Sequence, residues 1–322
     1  MTVCIAALSR HVDANGVQYP IVILAADRMI TARRIREYEF ADQTKLIWHR
    51  SNVAVLMSGS LDSLFLAYQN AQSRAASDCA IKDLAKLLAE EIQAVRRRDV
   101  ERLFLQRYNL TIDSFIARQR EWTPDFFERL NAHITDINND LGEVIIAGFD
   151  DNVAHIYTIE EAGWERPWDG TGFCAIGIGA EHAEAAFTRA QYTPKTNWIS
   201  AMRLTYFAKR RAEEAPGVGW STDLWFVTSQ GPMYFWPSSK VDTELGNMYH
   251  ARRMADIEAD TQDILKLGAI LEEEFDALTP RAATEQERKQ AEAKAEEADA
   301  AADAPDVSAG AEEGQREDKE EA

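Results

Sequence analysis

The sequence predicts an α+β fold in which antiparallel sheets pack against outer helices. Three observations predict it. Short apolar, β-branched runs come in pairs around turn-like segments, helical stretches fall between those pairs in blocks, and single strands nowhere alternate with single helices as a doubly wound sheet would require.

Taken in order, Thr2–Leu8 and Ile21–Ala26 flank Asp13-Ala14-Asn15-Gly16, and Lys45–Trp48 and Val53–Met57 flank Arg50-Ser51-Asn52. Each pair reads as a hairpin. Two helices follow, one over about 62–75 and one opening at Ile81. Ile81, Leu84, Ala85, Leu88 and Ile92 fall on one face of the second. Glu143–Phe149 and Val153–Ile159 pair around Asp150-Asp151-Asn152. Phe173–Ile178 is a further strand before helices at about 180–190 and 197–214, and Asp223–Thr228 with Pro232–Trp236 is the last hairpin.

A chain of 322 residues could hold two average domains, and one large domain with a tail fits as well. We divide it into a domain over 2–245 with a helical insertion at about 95–139, a helical extension over 246–280 and an acidic tail over 281–322. The tail holds 6 basic against 14 acidic residues and no aromatic, Ile, Leu or Met. Too little apolar surface is present to offset its ordering entropy, so disorder is expected.

The formal net charge is −19, with no useful Lys/Arg cluster against it. Nucleic acid and anionic membranes are thereby poor partners, since phosphate recognition needs local positive charge. No apolar run approaches the ~20 residues of a membrane-spanning helix. Cys4, Cys79 and Cys174 are far apart and have no metal-ligand spacing. They read as reduced thiols of a cytoplasmic protein, and the N-terminus lacks the features of a signal peptide. His49, His133, His155 and His182 show no ligand pattern, so neither a metal nor a cofactor is expected. Gly177-Ile178-Gly179 is too short for a dinucleotide fingerprint.

Four motifs in a fixed order carry a resemblance. Thr2-Val3-Cys4-Ile5-Ala6 opens the first strand, Leu24-Ala25-Ala26-Asp27 ends the second, Thr44-Lys45-Leu46-Ile47 starts the third, and Met57-Ser58-Gly59-Ser60-Leu61-Asp62 turns into a helix. Ala175-Ile176-Gly177-Ile178-Gly179-Ala180 and, more loosely, Gly217-Val218-Gly219-Trp220 follow. Together they resemble the proteasome-type N-terminal nucleophile (Ntn) hydrolases, in particular bacterial-type proteasome β-subunits, over about residues 2–240 with the insertion excepted. The simpler bacterial members are similar in starting with Met-Thr.

That resemblance implies a four-layer αββα sandwich of two antiparallel sheets between helical layers. It implies a threonine-type peptidase with Thr2 as nucleophile once Met1 is removed, its own α-amine as base, Lys45 as the charge beside that amine, Asp27 as the holder of Lys45, and the Gly59 N–H as oxyanion donor. A free α-amine has a pKa of about 7.7–8, near the working pH. A threonine hydroxyl needs such a neighbouring base. The partners implied are a peptide or protein substrate, a homo-oligomeric ring and an ATP-dependent unfoldase. Two positions depart from the family: its glycine-flanked serine is Ile178 here, and its later serine aligns with Val218, unless a shift brings in Ser221. The aspartate expected nearby falls at Ala215. A non-catalytic structural subunit and a small-molecule amidase are the alternatives. Ile30, Met57 and Leu61 are expected to form an apolar pocket near the nucleophile.

Overall fold

The computed structural model describes residues 2–32, 36–39, 44–138, 141–160, 162–235 and 239–278. The chain divides into two units, Met1–Arg253 and Met254–Ala322.

Strand β1 (Cys4–Val12) shows how the layers are written into the chain. Successive side chains of a strand point to opposite faces. Cys4, Ala6 and Leu8 are buried on one face, and Val3, Ile5 and Ala7 are buried on the other. Coverage on both faces explains why this stretch is apolar throughout rather than alternating.

The first sheet runs β10 (Phe173–Ile176), β1, β2 (Gln18–Asp27), β11 (Thr222–Thr228), β12 (Gly231–Phe235). The second runs β5 (Leu46–Arg50), β6 (Val53–Gly59), β7 (Gly142–Asp150), β8 (Val153–Ile159), β9 (Glu165–Pro167). All of their pairings are antiparallel. Between the sheets lie Cys4, Leu24, Leu56, Ile145, Phe149 and Trp225 with their neighbours. Side chains of that size each contribute about 1.5–3 kcal/mol on full burial.

Helices α1 (Leu61–Arg74) and α2 (Ile81–Val100) cover the outer face of the second sheet, with Leu64, Leu84 and Leu88 against Val53, Val55 and Ile146. On the first sheet, α5 (Ala180–Arg189) and α6 (Trp198–Ala212) bring Phe187, Ala201 and Tyr206 against Ile5 and Ile23. The product is the αββα sandwich the sequence predicts.

Beyond α2 the chain makes a π-helical turn (Glu101–Leu105) and a 3-10 turn (Gln106–Tyr108) before α3 (Ile112–Ala117) and α4 (Pro124–Asn138). Thr111 caps α3 by a reciprocal capping box with Ser114. Val100, Leu105, Leu110, Phe115 and Leu130 form a separate small core here. Helix α7 spans Lys240–Leu278. The expected acidic tail lies outside the described residues. So does Trp236 at the end of the expected last strand.

Three short strands, β9 and two more, were not anticipated. Strands β3 (Met29–Ala32) and β4 (Arg36–Glu39) form a separate hairpin, although no Gly, Pro, Asn or Asp lies between them to signal a turn. The expected strand through Ile178 ends at Ile176, because Gly177 takes φ 90° and breaks the ladder.

Among the described residues no helix is long and apolar enough to cross a membrane, and no group of three or more His, Cys, Asp or Glu side chains could hold a metal.

Candidate active site

Strand register brings Thr2 and Asp27 together, and the packing of the two sheets brings Lys45 to them. Cys4 lies opposite Ala26 in the β1–β2 pairing. The Asp27 N–H, one residue further, donates to the Val3 carbonyl at 3.2 Å. Asp27 therefore ends β2 level with the residue before β1. Lys45 arrives from the other sheet, immediately before β5, and its carbonyl accepts from the Met57 N–H at 3.1 Å.

Among the side chains, the Thr2 hydroxyl donates to Asp27 Oδ1. Lys45 Nζ donates both to Thr2 Oγ1 and to Asp27 Oδ1, the latter at 2.7 Å. Thr2 is 2%, Asp27 0% and Lys45 6% exposed. A carboxylate and an ammonium buried this deeply are tolerated only when paired and hydrogen-bonded. Asp27 is held further by backbone N–H donors: Val3 at 2.9 Å on Oδ1, Met29 at 3.0 Å and Gly219 at 2.9 Å on Oδ2.

Two glycines of one turn close over Thr2. The Gly179 N–H donates to the Thr2 carbonyl at 3.3 Å. A Cβ at Gly177 would press into the Thr2 carbonyl, and it would stand 2.6 Å from Ser58 Oγ and 3.0 Å from Thr2 Cγ2. Ser58 is thus a hydroxyl beside the nucleophile candidate that motif reading did not single out. Its strand neighbour across the ladder, Glu143, accepts from the Gly177 N–H at 3.0 Å.

Gly59 stands apart from this hydrogen-bonded cluster. It is exposed at the end of β6 with φ 124°, and a Cβ there would meet Gly142 Cα at 2.5 Å. A close backbone approach accounts for glycine at this position.

Several expectations need correcting. Val218 points into the core on the helix side, against Gly179, while its neighbour Gly219 supplies the polar contact to Asp27. Ile178 is 49% exposed. The apolar pocket is not formed as expected, because Met57 and Leu61 belong to the core beneath α1 and α2. Met57 alternates with Leu56 and Ser58 and so faces the helices. The Ile30 side chain lies outside the described residues. Arg28, a conceivable partner for adjacent Asp27, is ion-paired with Asp223 at 2.6 Å.

All three cysteines are free. Burial pushes the Cys4 thiol up to about 12, with Lys45 pulling the other way. Burial also holds the Cys174 thiol well above its usual range.

Two antiparallel five-stranded sheets between helical layers make the N-terminal nucleophile hydrolase fold. Solved structures similar to this chain include a Gly-1 mutant of Anbu from Hyphomicrobium sp. strain MC1, with TM-score 0.53, 13% identity, and 80% of this chain and 97% of that chain covered. Anbu from Yersinia bercovieri, described as an ancestral beta-subunit, gives TM-score 0.55 and 13% identity over 80% of this chain and 97% of that chain. No family model matches the chain, and no curated protein matches it. The resemblance to bacterial-type proteasome β-subunits is corrected accordingly: the likeness found is to Anbu and holds at the level of the fold. The physical reason lies in the glycine motifs. Gly59 and Gly177 are imposed by close backbone packing, so their spacing reports the architecture rather than a family.

Proposed function

We propose that this chain is a threonine-type amide hydrolase acting on peptides, with Thr2 as nucleophile after removal of Met1. The observation that carries the reading is the buried contact of Thr2 Oγ1 with both Asp27 and Lys45. In the reaction, the freed α-amine of Thr2 takes the hydroxyl proton while Oγ1 bonds to the substrate carbonyl carbon. The oxyanion is stabilised by the Gly59 N–H. The C–N bond then breaks, the leaving amine takes the proton from the α-ammonium, and an ester on Thr2 remains. Water attacks that ester with the α-amine again as base, releasing the carboxylic acid and restoring Thr2. Lys45 keeps positive charge beside the amine, which favours its neutral, proton-accepting form, and Asp27 holds Lys45 in place. Assembly into a homo-oligomeric ring, with or without an ATP-driven unfoldase, belongs to the same proposal.

A second reading, a non-catalytic subunit of the same fold, is favoured by Val218, which is buried in the core where the resemblance expects a serine. Intact-mass analysis of untagged protein, with and without a peptide boronate or epoxyketone, separates the two. A chain beginning at Thr2 that gains one probe there supports the hydrolase. A correctly trimmed chain that assembles but never reacts supports the structural subunit.

A further inference from the structure

We infer that Lys209 is a positioning residue for this site, holding Asp27 in place through the backbone of the Gly217–Trp220 turn; the inference rests on the hydrolase reading above. Lys209 lies on α6 and is 0% exposed. Its Nζ donates to the Gly219 carbonyl at 2.8 Å, the Trp220 carbonyl at 2.9 Å and Glu213 Oε1 at 2.6 Å. An ammonium has three N–H donors, and these acceptors use all of them.

The residue whose carbonyl Lys209 grips is the one whose N–H reaches the site. Gly219 donates to Asp27 Oδ2 at 2.9 Å. The other oxygen, Oδ1, is the atom shared by Thr2 Oγ1 and Lys45 Nζ. A carboxylate is rigid and planar, so fixing Oδ2 fixes the direction in which Oδ1 faces Thr2. Lys209 itself touches neither Thr2 nor Lys45.

A space-filling role explains this lysine poorly. Burying an ammonium costs several kcal/mol before its partners offset it, whereas a methionine would fill the same volume without that cost. Burial does pull the Lys209 ammonium down from its usual range, opposed chiefly by Glu213 and also by Asp27. The charged groups facing it are Arg210 on α6, Glu213 at the C-terminal cap of α6 and Asp27 on β2. Glu213 has Arg210 as a second partner at 3.0 Å, so removing Lys209 does not leave that carboxylate alone.

The experiment compares Lys209→Met and Glu213→Gln with wild type in the full, correctly trimmed chain. It reads hydrogen exchange in peptides covering Gly219 and the kinetics of Thr2 labelling by a peptide boronate or epoxyketone, separated into probe affinity and maximal rate. Lys209→Met should speed exchange at Gly219 by about tenfold or more while β1 is unchanged. It should lower the maximal labelling rate by about 10²-fold with affinity retained, as expected for a misplaced reacting group. Glu213→Gln keeps both carbonyl bonds of Lys209 and should stay near wild type in both readouts. If Lys209→Met fails to fold, Lys209→Gln carries the same test. Unchanged exchange and rate in the lysine variant overturn the inference, and so does an equal loss in Glu213→Gln. Wild-type protein that never labels overturns the hydrolase reading and the catalytic half of the inference, while exchange at Gly219 still decides the structural half.

Discussion

Lys45 and Asp27 form an ion pair 2.7 Å long whose side chains are 4% and 0% exposed, one from each sheet of the sandwich. The pair joins the layers at the point where Thr2 sits, so its removal should be felt in both stability and chemistry. Lys45→Ala leaves Asp27 buried without its counter-charge, which costs about 3–5 kcal/mol. Peptide hydrolysis should fall by about 10²–10⁴-fold, the usual contribution of acid–base catalysis. Lys45→Arg should also fail, because the guanidinium fork does not fit a point-charge site. Adding Asp27→Asn to Lys45→Met should recover melting temperature without activity. Wild-type turnover in any of these variants removes the pair from the mechanism.

Val218→Ser tests whether the missing hydroxyl matters. Val218 packs against Gly179 in the helix-side core, so a serine there buries a hydroxyl without a ready partner, at about 1–3 kcal/mol. A lower melting temperature with no gain in activity is expected. A gain in activity would show that residue 218 reaches the site.

Gly177→Ala places a methyl against the Thr2 carbonyl and Ser58 Oγ, at φ 90°. Overpacking and backbone strain of this kind cost about 1–3 kcal/mol each. Thermal unfolding and probe labelling should both suffer. Ser58→Ala, which adds no bulk, should leave stability nearly unchanged, so labelling in that variant isolates any role of its hydroxyl.

The thiols give a pH prediction. Burial pushes the folded Cys4 thiol up to about 12, above the roughly 8.5 of an unfolded chain. As pH rises the unfolded state therefore loses its proton first. The stability that this buried neutral thiol contributes is complete below about pH 8.5 and is lost progressively as pH climbs towards 12. Denaturant titrations from pH 7 to 10.5 should show declining stability, less steeply in Cys4→Ala. An alkylating reagent should modify half-buried Cys79 before Cys4 or Cys174 in the native protein. Early labelling of Cys4 would contradict its burial.

The sheets were legible in the sequence because core strands such as Val53–Met57 and Val144–Phe149 are apolar on both faces and bounded by turn residues. Thr2, Asp27 and Lys45 were legible through the order of the motifs that carry the family resemblance. Strand register accounts for the nearness of Thr2 and Asp27, and the packing of one sheet on the other for that of Lys45. The β3–β4 hairpin was hidden by the shortness of its strands, the charged composition of β4 and the lack of turn residues. Met57 was expected in a pocket by analogy with the family, whereas strand alternation decides its face, and one residue of offset reverses it. Gly219 escaped notice for a different reason. Motif comparison weighs side chains, and this residue acts through its N–H. Lys209 left a faint trace, a lysine four residues after Thr205 and three before Ala212, on a helix face that is otherwise small or apolar.

The depth of Thr2 sets an order of events during synthesis. A residue 2% exposed, with its carbonyl tied to Gly179, offers little backbone to a trimming aminopeptidase once β1 has docked between its neighbours. On the hydrolase reading proposed above, Met1 would have to leave the growing chain before β10 and the Gly177–Gly179 turn, some 170 residues later, have been made. Slow trimming would yield folded chains permanently capped at the amine. On that reading the fraction of chains with a free Thr2 amine would be fixed at birth rather than adjusted afterwards.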